Sequence, residues 1–231
     1  MSHSVHRLHL ASVNIPSRFQ TRERYLESRV DVYAYLVITR SDVLLIDTGV
    51  GEGSPYIERK FAPHRTPIAE ELARFGLQMA DVNIIVNSHL HFDHCGGNRL
   101  FPNAEIFVQS AEWSIAHTTG YTVTQWCDYG SARINTISGD REISAGIRLL
   151  SSPGHTPGHQ SVLVETDDGN VLVAAQAAYT ADEYKRGGDS VEQAHEGLEE
   201  AYLQSILQLK SVMAQEVYFS HDVEAVTLQA S

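Results

Sequence analysis

The sequence has few cysteines, few basic residues and no long apolar run, and each shortage excludes a class of protein. Cysteine occurs only twice in 231 residues, as Cys95 and Cys127, which is too few for a disulfide framework. Lysine and arginine number 17 against 29 aspartate and glutamate, so the formal net charge is -12. This charge opposes nucleic-acid binding, because a phosphate backbone requires a basic surface. No apolar run approaches the roughly 18 residues of a transmembrane helix, so no membrane partner is expected.

Length and composition favour one globular domain with its own core. A chain of 231 residues, 42% of them hydrophobic, fits a single domain, and we predict one over residues 1–231. The N-terminal segment is polar and lacks the apolar stretch of a signal peptide, which favours a cytoplasmic location. Its three histidines, His3, His6 and His9, are expected to lie on a solvated face.

Short apolar runs alternate with helical segments along the chain. Strands are predicted at residues 30–39, 42–47, 82–87, 104–108, 147–150, 160–165, 171–175 and 216–219, and helices at 66–75, 110–117 and 191–213. Residues 118–140 have no clear period and are interpreted as an insertion or an active-site wall, and residues 176–190 as a loop. This mixture predicts an α/β fold. Histidine and aspartate follow several strand ends, which indicates chemistry on loops held by a rigid sheet.

A cluster of metal-ligand side chains directly follows one of these strands. The string HLHFDH occupies residues 89–94. Because alternate residues of an extended backbone point the same way, His89 and His91 can converge on one point, and Asp93 and His94 on a second point beside it. Imidazole and carboxylate groups bind zinc, and also iron or manganese. The string therefore predicts a site for one or two metal ions, with zinc as the first expectation.

The same string resembles the HxHxDH signature of the metallo-β-lactamase superfamily. Residues 47–49 (DTG) resemble its early D-T-G turn, and residues 153–159 (PGHTPGH) resemble its P-G-H-T-x-G-H segment. His221, after the last predicted strand, is similar in position to its last ligand. Order and spacing also fit, so the resemblance covers most of the chain. It implies a four-layer αββα sandwich with metal ions in a cleft at one edge of the two sheets.

The resemblance also implies a role for individual residues. The implied metal ligands are His89, His91 and His155 for one ion, and Asp93, His94 and His221 for a second. Asp47 would orient the backbone of the ligand loop or a ligand histidine, as outer-shell carboxylates do. His159 is expected behind the ligands, since the family uses the earlier histidine of that segment.

Gln176 departs from the family pattern. Most members with two metals carry an aspartate at this position, and its carboxylate bridges both ions. An amide offers one neutral oxygen where a carboxylate offers two anionic ones, so the repulsion between two cations is less screened. We therefore predict a weakened second site, or a single ion on the first site. The alternative is an inactive site in which Gln176 only forms a hydrogen bond behind the ligands.

Within the superfamily, three details resemble the N-acyl homoserine lactonase branch. They are residues 89–98 (HLHFDHCGGN), residues 153–161 (PGHTPGHQS), and Tyr179 at the tyrosine of that branch's D-x-x-Y pattern. The resemblance implies a hydrolase in which a metal activates water to attack a lactone carbonyl. Asp93 would orient the attacking oxygen, and Tyr179 would hydrogen-bond the carbonyl or leaving oxygen. The expected partner is a small-molecule lactone, and a homodimer stays open.

Two other functions stay open. A thioesterase of glyoxalase II type shares the H-x-H-x-D-H string, but it is expected to carry the bridging aspartate and a basic C-terminal substrate region, and neither is present. The second alternative is a non-catalytic, ligand-binding member of the superfamily that lost efficient chemistry through Gln176. We expect segments 14–29 and 118–140 to line the pocket, with the aromatic residues Phe19, Tyr25, Tyr121 and Trp126 as candidates.

Overall fold

A computed structural model describes residues 3–15, 29–187 and 194–227, and within them the chain forms two β-sheets and six α-helices. The strands are β1 (Ser4–Asn14), β2 (Arg29–Ile38), β3 (Val43–Ile46), β4 (His64–Arg65), β5 (Ile84–Val86), β6 (Glu105–Gln109), β7 (Arg133–Ile137), β8 (Arg141–Ser144), β9 (Ile147–Ser151), β10 (Gln160–Thr166), β11 (Gly169–Ala175), β12 (Glu216–Phe219) and β13 (Val226–Thr227). The helices are α1 (Pro55–Phe61), α2 (Ile68–Ala73), α3 (Ser110–Ala116), α4 (Thr124–Cys127), α5 (Ala181–Arg186) and α6 (Glu199–Ser211). None of these helices is both long and apolar enough to cross a membrane.

Each sheet combines antiparallel and parallel strand pairs. The first sheet has the order β4-β1-β2-β3-β5-β6-β7, in which β3, β5, β6 and β7 run parallel. The second has the order β13-β12-β11-β10-β9-β8, in which β11 and β12 run parallel. Parallel neighbours end at the same edge of a sheet, so the residues that follow β3 and β5, and those that follow β11 and β12, come together in pairs.

The alternation of side chains along β2 shows why the sheets stack. Tyr35 and Val37 face the second sheet and pack against Leu149 and Val162, whereas Leu36 faces the opposite way, toward Leu72 of α2. Both faces of the strand are therefore apolar and buried, as expected for a sheet covered on both sides. Burying each large apolar side chain contributes roughly 1.5–3 kcal/mol.

The second sheet repeats this arrangement on its own outer face. Leu163 and Leu172 point away from the first sheet and pack against Tyr202, Ile206 and Leu209 of α6. The layers are thus α2, the first sheet, the second sheet, and α5 with α6. The predicted four-layer αββα sandwich is confirmed. The single-domain prediction over residues 1–231 includes stretches outside the described residues and stays a prediction.

Four local predictions were wrong or incomplete. His6 and His9 lie on β1, whose Leu8 and Leu10 face the core, and His3 directly precedes this strand. His3 is buried, with its Nδ1 2.7 Å from the backbone oxygen of Glu165. The loop predicted at 176–190 contains α5. The segment 118–140 contains α4 and the edge strand β7. The long helix begins at Glu199 rather than 191, since Gly197 adopts a left-handed backbone (φ 82°) that a helix cannot continue through; residues 191–193 lie outside the described part.

Candidate metal centre

The edge of the sandwich where β3, β5, β11 and β12 end gathers the predicted site residues. Asp47 follows β3 and Ala175 ends β11, and both have the left-handed backbone that is uncommon outside glycine (φ 63° and 54°). Such a conformation turns the chain sharply at the end of a strand. The residues that follow are thereby directed across the edge, toward the space between the two sheets.

Asp47 organises the ligand loop as predicted for an outer-shell carboxylate. Its buried carboxylate accepts hydrogen bonds from the backbone N–H of Ser88 (2.7 Å) and the hydroxyl of Ser88 (2.7 Å). It also accepts a hydrogen bond from Nδ1 of His94 at 2.8 Å. Because Nδ1 carries the proton of the neutral ring, the lone pair of that ring is on Nε2 of His94. This Nε2 is buried and has no hydrogen-bond partner among the described residues, which fits a nitrogen that binds a metal ion.

The first ligand group brings together His89, His91 and His155, whose ligand atoms all lie within 4.8 Å of one another. Nδ1 of His91 is 3.0 Å from Nε2 of His89 and 3.2 Å from Nε2 of His155. Tetrahedral ligands about 2.0–2.1 Å from a zinc ion are separated by about 3.3 Å, so these spacings suit a shared zinc-sized ion.

The protonation of this group also suits a metal. The hydroxyl of Ser88 donates to Asp47 and therefore accepts from Nδ1 of His89 (3.0 Å), which leaves the lone pair of His89 on Nε2. Burial, with the neighbouring imidazoles, lowers the pKa of His89 well below its usual value. Burial likewise lowers the pKa of His91 to about 4. Both rings are neutral at pH 7, the state that a metal ligand requires.

The second ligand group brings together Asp93, His94 and His221, again within 4.8 Å. Oδ2 of Asp93 lies 3.7 Å from Nε2 of His94 and 3.6 Å from Nε2 of His221. Nδ1 of His221 donates to the backbone oxygen of Asp31 at 2.7 Å, so its Nε2 also carries a lone pair. These two groups contain the six residues implied as ligands, in the two sets implied for the two ions.

The electrostatics of the second group differ from those of the first. Burial alone would lower the pKa of His94, but the carboxylates of Asp93 and Asp47 outweigh it and raise that pKa. Burial would raise the pKa of Asp93, but His94 and His221 outweigh it and lower that pKa. The carboxylate is therefore ionised at neutral pH, and it is the one negative ligand of the two groups.

His159 lies behind the ligands, as expected, and both of its ring nitrogens are engaged. Nδ1 donates to the backbone oxygen of Ser152 (3.1 Å), and Nε2 accepts from the backbone N–H of Gln176 (3.1 Å). Burial lowers the pKa of His159 to about 3, so the ring is neutral. Through this contact His159 fixes the backbone that presents Gln176, whose buried side chain faces His94.

An apolar cavity of about 400 Å³ opens directly onto the ligands. Its lining includes His91, Asp93, His155, Gln176 and Tyr179 at the metal end, and Ile57, Phe61, Phe92 and Val123 along the walls. The rings of Phe61 and Phe92 are in contact, with centroids 4.3 Å apart. Such a cavity can hold a small ligand with an apolar part while presenting its polar end to the ligand groups.

The aromatic candidates for the cavity are only partly placed there. Tyr121 lines the cavity and its ring lies 4.9 Å from that of His91. Trp126 is buried instead in an apolar cluster with Ile57 and Val50, behind the wall. Phe19 and Tyr25 lie outside the described residues.

Tyr179 lies at the metal end of the cavity, stacked on the ring of His221 with centroids 5.1 Å apart. Its backbone N–H donates to the buried carboxylate of Glu183 at 2.8 Å, which fixes the start of α5 beside the site.

Sequence reasoning missed Glu183, and it missed Glu112, which contacts both ligand loops. It also missed the wall residues Phe61 and Phe92, because no short motif marks a residue that acts through packing or through backbone contacts.

Comparisons with known proteins agree with this geometry. The metallo-beta-lactamase superfamily matches the chain over residues 28–221. An N-acyl homoserine lactonase from Bacillus sp is 37% identical over 215 residues, which cover 84% of this chain and 82% of the relative. The solved structure of an N-acyl homoserine lactone hydrolase, with the product N-hexanoyl-L-homoserine bound at its catalytic metal centre, superimposes with a TM-score of 0.79 at 30% identity, covering 96% of this chain and 95% of that one.

A second solved structure gives the same result. A mutant of AiiA from B. thuringiensis, with N-decanoyl-L-homoserine bound at its active site, has a TM-score of 0.80 at 30% identity, covering 96% of this chain and 95% of that one. The matched residues of the superfamily include both ligand groups, and the relatives match the chain over most of their own length. This chain therefore belongs to the metallo-beta-lactamase superfamily and, within it, to the group of the N-acyl homoserine lactonases.

Proposed function

We propose that this protein is a metal-dependent hydrolase that opens the ring of N-acyl homoserine lactones. The observation that carries the proposal is the position of two ligand groups, one of three histidines and one of two histidines and an aspartate, at the end of an apolar cavity. The 37% identity to an N-acyl homoserine lactonase supports the same substrate class. The apolar walls suit an acyl chain, and the polar end suits a lactone ring.

The residues fit a metal ion, and we propose zinc, with iron and manganese as alternatives. Nε2 of His94 is buried without a hydrogen-bond partner in the described part of the chain, and the imidazoles of His89 and His91 are neutral. When bound at such ligands, the ion supplies a Lewis acid that polarises a carbonyl and lowers the pKa of water.

The chain's own residues would then perform three tasks. Asp93 presents an ionised carboxylate to the cavity and would orient the attacking water by accepting a hydrogen bond from it. Tyr179 lies against His221, and from there its hydroxyl would donate a hydrogen bond to the carbonyl or leaving oxygen. Phe61 and Phe92 would bury the acyl chain and exclude water from it.

Gln176 is proposed to weaken the second metal site. Its amide faces His94 at the place where a carboxylate would add a negative charge, so Asp93 is the one anionic ligand of the two groups. We expect one tightly held ion per chain in the wild type at submicromolar free zinc. Gln176→Asp should raise the number of tightly held ions toward two. Gln176→Asn should not, because asparagine has the length of aspartate without its charge. Two tightly held ions in the wild type would contradict this proposal.

The function is tested by following acid release from N-hexanoyl- and N-decanoyl-homoserine lactone with enzyme loaded with zinc, manganese or iron. A glutathione thioester serves as the competing substrate, and His91→Ala as the variant that lacks a first-group ligand. We expect both lactones to be hydrolysed and the activity to be lost in His91→Ala. Faster turnover of the thioester would indicate a thioesterase, and no turnover with metal bound would indicate a ligand-binding protein. The cytoplasmic location and a homodimer stay predictions.

A further inference from the structure

Glu112, on α3, is a buried carboxylate that accepts four hydrogen bonds and belongs to neither ligand group. Its Oε1 accepts from the backbone N–H of Leu90 at 2.8 Å and from the hydroxyl of Tyr121. Its Oε2 accepts from the hydroxyl of Thr156 at 2.6 Å and from the backbone N–H of Gly158 at 3.2 Å. No solvent reaches this side chain, so these four donors replace its hydration.

Three of the four donors belong to the two loops that carry the first ligand group, and the fourth, Tyr121, contacts one of its ligands. Leu90 lies between His89 and His91, so the hydrogen bond of its N–H holds the backbone that carries both ligands. Thr156 directly follows His155, and Tyr121 packs its ring on His91. One carboxylate thus connects the loop after β5 with the loop between β9 and β10, although these loops belong to different sheets.

The packing around Glu112 requires close approach of α3 to the second loop. A Cβ atom at position 158 would lie 2.1 Å from the backbone nitrogen of Glu112, far inside any allowed contact. Glycine at 158 therefore permits the loop to approach closely enough for its N–H to reach Oε2. Glycine and glutamate together form a fixed junction between the helix and the loop of His155.

We propose that Glu112 is a positioning residue for the first metal ion, which sets the relative position of the His89–His91 loop and the His155 loop. The proposal rests on the metal centre described above and does not depend on the identity of the substrate. A carboxylate is required because each of its oxygens accepts one backbone N–H. A hydroxyl can rotate to suit an amide nitrogen, but a backbone N–H cannot.

Glu112→Gln tests this requirement with almost no change in shape. Whichever way the amide is turned, its nitrogen faces the N–H of Leu90 or that of Gly158, and one of the two loops loses its anchor. We expect the affinity for the first zinc ion, measured by competition with a chelator in folded protein, to fall about 10- to 100-fold, as for other groups that support metal ligands.

Glu183→Gln is the matched control. Glu183 is equally buried and accepts from the backbone N–H of Tyr179 and the hydroxyl of Tyr202 (3.1 Å), and these two donors lie beside α5 and on α6 rather than on the loops of the first group. This control should keep the wild-type zinc affinity even where it loses stability or turnover. Equal losses of zinc affinity in both variants would overturn the proposal, because they would indicate a general loosening of the fold.

A milder pair of variants covers the case in which Glu112→Gln does not fold. Thr156→Val removes one hydroxyl donor to Glu112, and Thr156→Ser keeps it. We expect Thr156→Val to lower zinc affinity severalfold and Thr156→Ser to restore it. Wild-type affinity in Thr156→Val, or in a folded Glu112→Gln, would overturn the proposal. Failure of the wild type itself to bind zinc would instead overturn the metal centre.

Discussion

Asp47→Asn should reverse the tautomer of His94 and weaken the second metal site selectively. Oδ1 of Asp47 accepts the backbone N–H of Ser88, a donor that cannot reverse, so the asparagine must keep its oxygen there. Its nitrogen then replaces Oδ2 and faces the hydroxyl of Ser88 and Nδ1 of His94. The amide donates to Nδ1, which moves the ring proton to Nε2 and occupies the lone pair that would bind metal.

The size of this effect follows from the hydrogen bond that changes. A buried hydrogen bond to a charged group contributes about 1.5–3 kcal/mol. Reversing it should therefore lower affinity for the second ion by about ten- to a hundredfold, at about 1.4 kcal/mol for each factor of ten. The first ion should be affected less, because Asp47 reaches His89 only through the hydroxyl of Ser88, whose oxygen can accept from the asparagine amide and still accept from Nδ1 of His89.

Two measurements together check the reasoning. Nitrogen-15 NMR of the imidazoles in metal-free protein, at a pH high enough for His94 to be neutral, should show its proton on Nδ1 in the wild type and on Nε2 in Asp47→Asn. Zinc titration against a chelator should show the loss confined to the weaker site. Asp42→Asn is the control, because Asp42 also bonds to three side chains, among them Asn83 and Ser144, away from the ligand groups. An unchanged proton position in Asp47→Asn would refute the argument.

Three further predictions concern the cavity and the buried rings. Tyr179→Phe should lower kcat by about 10²-fold or more with zinc content unchanged, if the hydroxyl acts in proton transfer or carbonyl polarisation; normal turnover would exclude that role. Phe92→Ala should raise KM for N-decanoyl more than for N-hexanoyl substrate, since it removes apolar wall beside Phe61; equal changes would show that the chain binds elsewhere. The pKa of His159 is about 3 when folded against about 6.5 when unfolded, so the unfolded state binds the extra proton. The contribution of His159 to the free energy of unfolding of metal-free protein should therefore be fully present above pH 6.5 and be lost as pH falls toward 3, measured by urea unfolding with His159→Gln as the comparison; equal pH dependence of the two proteins would contradict this.

The ligand residues could be predicted because their chemistry is local in the sequence. His89 to His94 occupy six consecutive positions after one strand, and the segment 153–159 is a short recognisable string. The strand preceding each ligand was also predictable, since buried strands read as apolar runs. What these strings do not contain is the contact between Asp47 and His94, which joins residues far apart in the chain.

The features that were missed depend on tertiary contacts or on weak local signals. The alternation of Leu8 and Leu10 with polar residues in β1 is visible in the sequence, but His6 and His9 on the same strand suggest a solvated segment until pairing with β2 is known. The helix α5 does have a local signal, since the hydroxyl of Thr180 accepts the N–H of Glu183 in the pattern of a helix N-cap. Glu112 has no local sequence signal, because its four hydrogen-bond donors come from three separate segments.

The division of the ligands between the sheets has a consequence for folding. Each ligand group takes two residues from the loop after β5 in the first sheet, and its third, His155 or His221, from the second sheet. An ion held in either group is thus a cross-link between the two halves of the sandwich, and neither half holds a complete set of three. Metal binding and docking of the halves are thermodynamically linked, so free metal stabilises the assembled sandwich by mass action. Heat or acid that separates the sheets should release bound metal in the same cooperative step.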